Sequence, residues 1–246
     1  MRHGRLLLLA FAGWWSAAWA DVSPYLPFKA GARLTYRTTT SLDADARLQW
    51  ETSLRRAEEL DGGAERVVLR SAARFWVSGR PLEREETLVR EPRGLFSGEA
   101  NGAYGPTPLL PAAPELERAD AIWVYEGRRS LPFPLAVLNL LRHNDGPVRT
   151  TGRYHVLNLA PLETAAGRFG QAVQVTGVER VTMALRGEQP EDVMLRCRRW
   201  YVRGLGLARE VVEFAEYPSL GRLTTELVAY VGLTPAEAGV TQAGER

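Results

Sequence analysis

Two histidines, one cysteine and a scatter of carboxylates are the groups through which residues 21–246 could do chemistry. His143 stands beside Asn144 and Asp145 and could act as a base with a carboxylate orienter. The same run also suits a helix C-terminus, where a histidine favours the dipole and Asn144-Asp145-Gly146 stops the helix; that reading is preferred. His155 falls in an alternating segment and reads as packing or surface. Cys197 lies among Arg196, Arg198 and Arg199, whose charges would activate a thiolate if they approached it. In a strand, however, Arg196 and Arg198 point away from Cys197, and a buried, inert thiol is expected. The arginine-rich run 196–203 could hold a phosphate or lipid headgroup bidentately, or simply pair with Glu210 and Glu213. Glu83, Glu85 and Glu86 lack calcium-loop spacing, have Arg80, Arg84 and Arg90 nearby, and read as a solvated face.

Enzyme signatures are otherwise missing. The sequence has no Gly-x-Ser-x-Gly elbow, no His-Glu-x-x-His and no phosphate loop. Gly204-Leu205-Gly206 fails as a dinucleotide fingerprint, because Arg209 occupies the third glycine's place and the flanks read strand–strand. No catalytic residue, metal or cofactor is therefore expected. The aromatic residues are more suggestive. Trp50, Trp76, Trp123 and Trp200 lie outside the N-terminal leader, and Trp76 falls on the opposite strand face from Phe75. At least one of those two rings needs a cover or a ligand.

The leader is residues 1–20. Arg2, His3 and Arg5 give a basic start, Leu6 to Trp15 an apolar stretch, and Ala18-Trp19-Ala20 small residues around a cleavage site before Asp21. Arg2 and Arg5 are not adjacent and no cysteine follows the site, so a cleaved Sec-type signal and a periplasmic or secreted protein are expected. The whole chain carries 31 basic and 29 acidic residues, and cleavage would remove Arg2 and Arg5, leaving 29 of each. A neutral domain lacks the cationic field that nucleic-acid binding needs. No later segment could span a bilayer as a helix. The lone Cys197 cannot form an internal disulfide, so stability must come from the core.

The elements that would position these groups read mainly as strands. Period-two alternation marks 34–40, 48–54 and 67–77, and a more polar strand over 82–90. Asp61-Gly62-Gly63 and Ser78-Gly79-Arg80-Pro81 supply turns. Prolines 92, 106, 108, 111 and 114 predict a long loop or flap over 91–120. A strand resumes over 121–126. Pro132-Phe133-Pro134 opens a nearly all-apolar helix over 134–142, which must be buried. A meander follows over 151–160, 170–185, 193–203, 206–217 and 220–231. The expectation is a single domain over 21–232 and a flexible tail over 233–246. It is mainly β, with about nine strands in one curved antiparallel sheet or partly closed barrel and the apolar helix on its open face.

One register can be written from the sequence. If the loop after Val202 has an even number of residues, Arg199 faces Glu210, Arg196 faces Glu213 and Trp200 faces Arg209. Leu195 then meets Phe214 and Cys197 meets Val212 on the other face. An odd loop would set Arg199 against Val211 and lose both charge pairs.

Three pieces carry a resemblance. They are Tyr25-Leu26-Pro27-Phe28-Lys29-Ala30-Gly31 before Leu34-Thr35-Tyr36, Pro161 to Phe169 followed by Ala172-Val173-Gln174-Val175, and Trp200-Tyr201-Val202-Arg203-Gly204-Leu205-Gly206-Leu207-Ala208-Arg209. Together they resemble an uncharacterised family of secreted bacterial β-rich proteins, similar in plan to the periplasmic lipoprotein-carrier fold, a half-barrel closed by a helix. The resemblance implies fold and compartment and brings no catalytic residues. The expected function is a non-enzymatic periplasmic module holding a lipid or acyl group under the helix, with Phe75, Trp123, Phe133, Leu138, Leu141 and Tyr201 as the ligand-binding candidates. The alternative is an envelope protein-interaction or assembly factor with a filled core, docking through a sheet edge or the proline-rich loop. A hydrolase built on scattered carboxylates is the third reading. An apolar cavity above roughly 300 Å³ would favour the carrier.

Overall fold

The computed structural model describes residues 25–26, 29–43, 47–74, 81–98, 107–132, 134, 147–183 and 190–234. These form one antiparallel sheet of twelve strands: β1 Arg33–Thr40, β2 Arg47–Glu59, β3 Glu65–Arg74, β4 Pro81–Glu91, β5 Gly94–Ser97, β6 Leu110–Pro111, β7 Ile122–Arg129, β8 Val148–Thr164, β9 Gly167–Met183, β10 Glu191–Val202, β11 Gly206–Phe214 and β12 Arg222–Val231. The spatial order is β6-β5-β4-β3-β2-β1-β12-β11-β10-β9-β8-β7. The consecutive strands β6 and β7 thus become the two edges, and the first and last strands of the chain, β1 and β12, pair in the centre of the sheet.

The sheet curls until those edges almost meet. The Thr107 hydroxyl, just ahead of β6, donates to the Glu126 carbonyl of β7 at 3.2 Å and accepts from the Glu126 N–H at 2.8 Å. The result is a nearly closed barrel. Alternation turns one face of every strand inward, as the pattern of β11 shows, where Gly206, Ala208, Glu210, Val212 and Phe214 are buried.

The strand count corrects the expectation of nine. The surplus comes in part from 91–120, which is not simply a loop. Pro92-Arg93 turns β4 into β5, whose four residues are all buried, and β6 follows with a four-residue helix α1, Ala113–Leu116. Pro111 is tolerated in β6 because an edge strand need not donate on both sides. Gly94 is required by close approach, since a Cβ there would lie 2.3 Å from the Leu110 carbonyl oxygen. The apolar helix expected over 134–142 lies outside the described residues apart from Pro134. Among the described residues no apolar helix covers the sheet, and none is long and apolar enough to cross a membrane.

The β10–β11 register pairs Arg199 with Glu210, Arg196 with Glu213, Trp200 with Arg209, Leu195 with Phe214 and Cys197 with Val212. The premise behind it is corrected. The loop after Val202 has three residues, Arg203 to Leu205, and a register shift between Trp200 and Tyr201 absorbs the odd residue. The faces are corrected too. Arg199 has the same parity as Leu195 and Cys197, so the Arg199–Glu210 pair lies on the buried side.

Candidate functional site

Within the barrel wall, β9 carries Glu179 in phase with Val175, Gly177, Val181 and Met183, so its carboxylate points inward and has no exposed surface. Two arginines reach it from other strands. Arg129 of β7 donates through Nη2 at 2.6 Å, and Nη2 of Arg199 lies 2.7 Å away. The Tyr154 hydroxyl of β8 donates at 2.8 Å. Arg199 also donates from Nε to Glu210 of β11 at 2.6 Å. Four strands therefore contribute to one buried chain of charges in which two guanidiniums balance two carboxylates.

Burial alone would raise the Glu179 carboxyl, but Arg129, Arg199 and the hydrogen bonds from Tyr154 and Arg199 outweigh it and bring it down to about 2. Glycines make the Tyr154 contact possible. A Cβ on Gly177 would sit 2.4 Å from Tyr154 Cδ1, and one on Gly152 would sit 2.5 Å from the hydroxyl. The ring lies flat across both glycines and so reaches Glu179. Trp123 stacks on its other side at 4.9 Å, and Arg199 lies 5.6 Å from the ring centre.

Beside this cluster lies a cavity of about 230 Å³. Its wall is apolar on the side of β3 to β6, with Leu69, Leu88, Leu95, Leu109 and Leu110, and on the side of β1 and β2 it carries the stacked pair Tyr36 and Trp50, 4.5 Å apart. Glu86, Arg129, Arg199, Glu210 and Tyr201 are ionisable groups of the lining, and Thr52, Ser71 and Ser130 add hydroxyls to it. Arg129 and Arg199 are engaged by Glu179, and Glu210 by Arg199. Glu86 makes no hydrogen bond or ion pair among the described residues; burial raises its carboxyl, and Arg84 and Arg129 oppose that shift. The Tyr201 hydroxyl likewise has no hydrogen-bond partner among them, and burial pushes it up to about 12.

The expected ligand residues separate. Tyr201 lines the cavity. Trp123 is buried against Tyr154 in the core rather than in the cavity lining. Phe75, Phe133, Leu138 and Leu141 lie outside the described residues, as do Trp76 and His143. His155 is at the surface, its Nε2 3.2 Å from Asp120. Cys197 is buried, and desolvation raises its thiol well above the ordinary value. Of the supposed solvated acidic face, Glu83 and Glu85 are exposed, whereas Glu86 turns inward, which corrects that reading. The signal was available, because Glu86 is in phase with Leu82 and Leu88. Glu179 and Arg129 carried the same kind of signal: a charged residue in the apolar register of a strand.

One end of the barrel is tied by a smaller polar group. Tyr25 donates its hydroxyl to Glu117 at 2.5 Å, Arg203 of the β10–β11 turn donates to the same carboxylate at 2.6 Å, and the Arg203 guanidinium lies 5.8 Å from the Tyr25 ring centre. The chain before β1, the segment after α1 and a hairpin tip are thereby held together.

With this geometry in hand, comparison with known proteins places the architecture. No family model and no curated protein matches the chain. Two solved structures are similar. A Bacteroides fragilis protein described as exported, with YmcC-like fold, matches with a TM-score of 0.51 and 14% identity over 85% of this chain and 99% of its own. A Parabacteroides distasonis protein described as a lipoprotein gives 0.49 and 12% over the same shares. The first likeness shows the fold.

Proposed function

We propose that this chain is an exported, non-enzymatic envelope protein whose barrel interior holds a small amphiphilic molecule. The observation that carries the reading is the cavity itself: an apolar wall that ends on two cavity-facing polar groups, Glu86 and Tyr201, that have no hydrogen-bond partner among the described residues. The leader at residues 1–20 and the exported protein of matching fold support the compartment. At about 230 Å³ the space falls short of the roughly 300 Å³ expected of a carrier, which limits the reading to a short acyl chain or chain end. About eight buried methylenes would contribute roughly 6 kcal/mol gross, equivalent to a Kd of tens of micromolar at best, and ordering costs weaken it toward the millimolar range unless the head group adds hydrogen bonds. Native mass spectrometry of gently purified protein should show a bound amphiphile, or a fluorescent fatty-acid probe should bind the stripped protein. A protein that carries no such molecule and ignores the probe would end this reading.

A second reading, docking of an envelope protein partner, draws on the outer face. Ile122 and Val124 of edge strand β7, with Leu157, Leu159 and Val178 of β8 and β9, are all exposed. The proline-rich segment is a poor docking loop by comparison, because Phe96 and Leu116 within it are fully buried. Deleting 96–118 would therefore unfold the barrel rather than silence an interaction.

A further inference from the structure

The charges around the cavity discriminate between head groups. A carboxylate head would find the charges of Arg129 and Arg199 already balanced by Glu179 and Glu210, with Arg129 Nε as the one guanidinium donor of that pair left buried without a hydrogen-bond partner among the described residues, and it would face the Glu86 carboxyl as well. An ammonium head drawn to Glu86 would meet the fields of Arg84 and Arg129, both of which act on that carboxyl. An uncharged group that donates and accepts hydrogen bonds avoids both penalties. Glu86 offers an acceptor in its ionised form and both functions when protonated, so it can bond a hydroxyl in either state. Tyr201 offers a donor and an acceptor on the same cavity wall.

We propose that the cavity selects a neutral amphiphile with a hydroxyl or amide head, anchored by Glu86 and Tyr201, over a free fatty acid or an alkylamine. This rests on the cavity being a binding site, and it adds the class of ligand. Tyr201 enters here as a head-group contact and not as part of the apolar wall.

The test is a titration of the full-length protein, stripped of bound lipid, with three probes of equal chain length: 1-decanoylglycerol, decanoic acid and decylamine. The glyceride should bind about tenfold more tightly than either charged probe. Glu86→Leu should reduce that advantage to about threefold or less while thermal unfolding confirms the fold, and Glu86→Gln should retain it. Decanoic acid or decylamine binding as well as the glyceride would overturn the head-group assignment and leave the cavity reading standing. So would an advantage that survives Glu86→Leu. If none of the three binds, the cavity reading falls and the assignment falls with it.

Discussion

A carboxylate sealed from solvent in a β-barrel wall would ordinarily take up a proton. Glu179 stays ionised because two guanidiniums and a phenol converge on it. Its carboxyl is lowered from 4.5 to about 2, so it contributes stability that is fully present above the unfolded value near 4.5 and is lost as pH falls through 2. That contribution is about 3 kcal/mol. Urea titrations followed by tryptophan fluorescence should show the wild type weakening between pH 5 and 2, and Glu179→Gln should be less stable at pH 7 with a shallower acid slope. Arg199→Met should cost about 3–5 kcal/mol at pH 7, since Glu210 loses its arginine and Glu179 keeps only one. A loss below about 1 kcal/mol would mean that solvent already screens the cluster. Part of this site was legible. Arg199 and Glu210 were paired by register alone, yet their burial was missed because charge suggested solvent where parity pointed inward. Glu179 and Arg129 could not be joined by any local rule, since they lie 50 residues apart.

At the scale of elements, the β8–β9–β10 segment shows why glycine can be structural inside a strand. Gly177 stands directly opposite both Tyr154 and Cys197, and its missing side chain is the space the Tyr154 ring fills. Gly177→Ala should therefore destabilise the protein by about 2 kcal/mol through overpacking. It should also change the emission of Trp123, which stacks on that ring. Unaltered emission together with unaltered stability would place the ring elsewhere. Long alternating strands such as β1 and β3 were legible because each carries its own period. β5 and β6 were not, because four and two residues are too short to display one and proline masks them. The β10–β11 hairpin is instructive in another way. A three-residue loop should have broken the expected pairing, and the bulge near Ala208 restored it, so the cross-strand charge pairs prevailed over loop parity.

For the whole molecule, closure is the property that creates an interior. It depends at the β6–β7 seam on a side chain standing in for a ladder: Thr107 satisfies both backbone groups of Glu126. Because that seam is exposed, Thr107→Val should leave the unfolding midpoint within about 1 kcal/mol of wild type while the Glu126 amide exchanges faster by hydrogen exchange. Protection unchanged at Glu126 would show that the edges are held by other contacts. The amino-acid sequence by itself determined what is periodic and local: antiparallel strands with one greasy face, turns between them, and a hairpin register marked by opposite charges. Only the tertiary structure decided how many strands close the sheet, that the arginines of β7 and β10 meet one glutamate of β9, and that Glu86 looks into a cavity. Those outcomes depend on the curl of the sheet and on pairs far apart in the chain, and a strand's pattern states which way a side chain faces without stating what waits across the barrel.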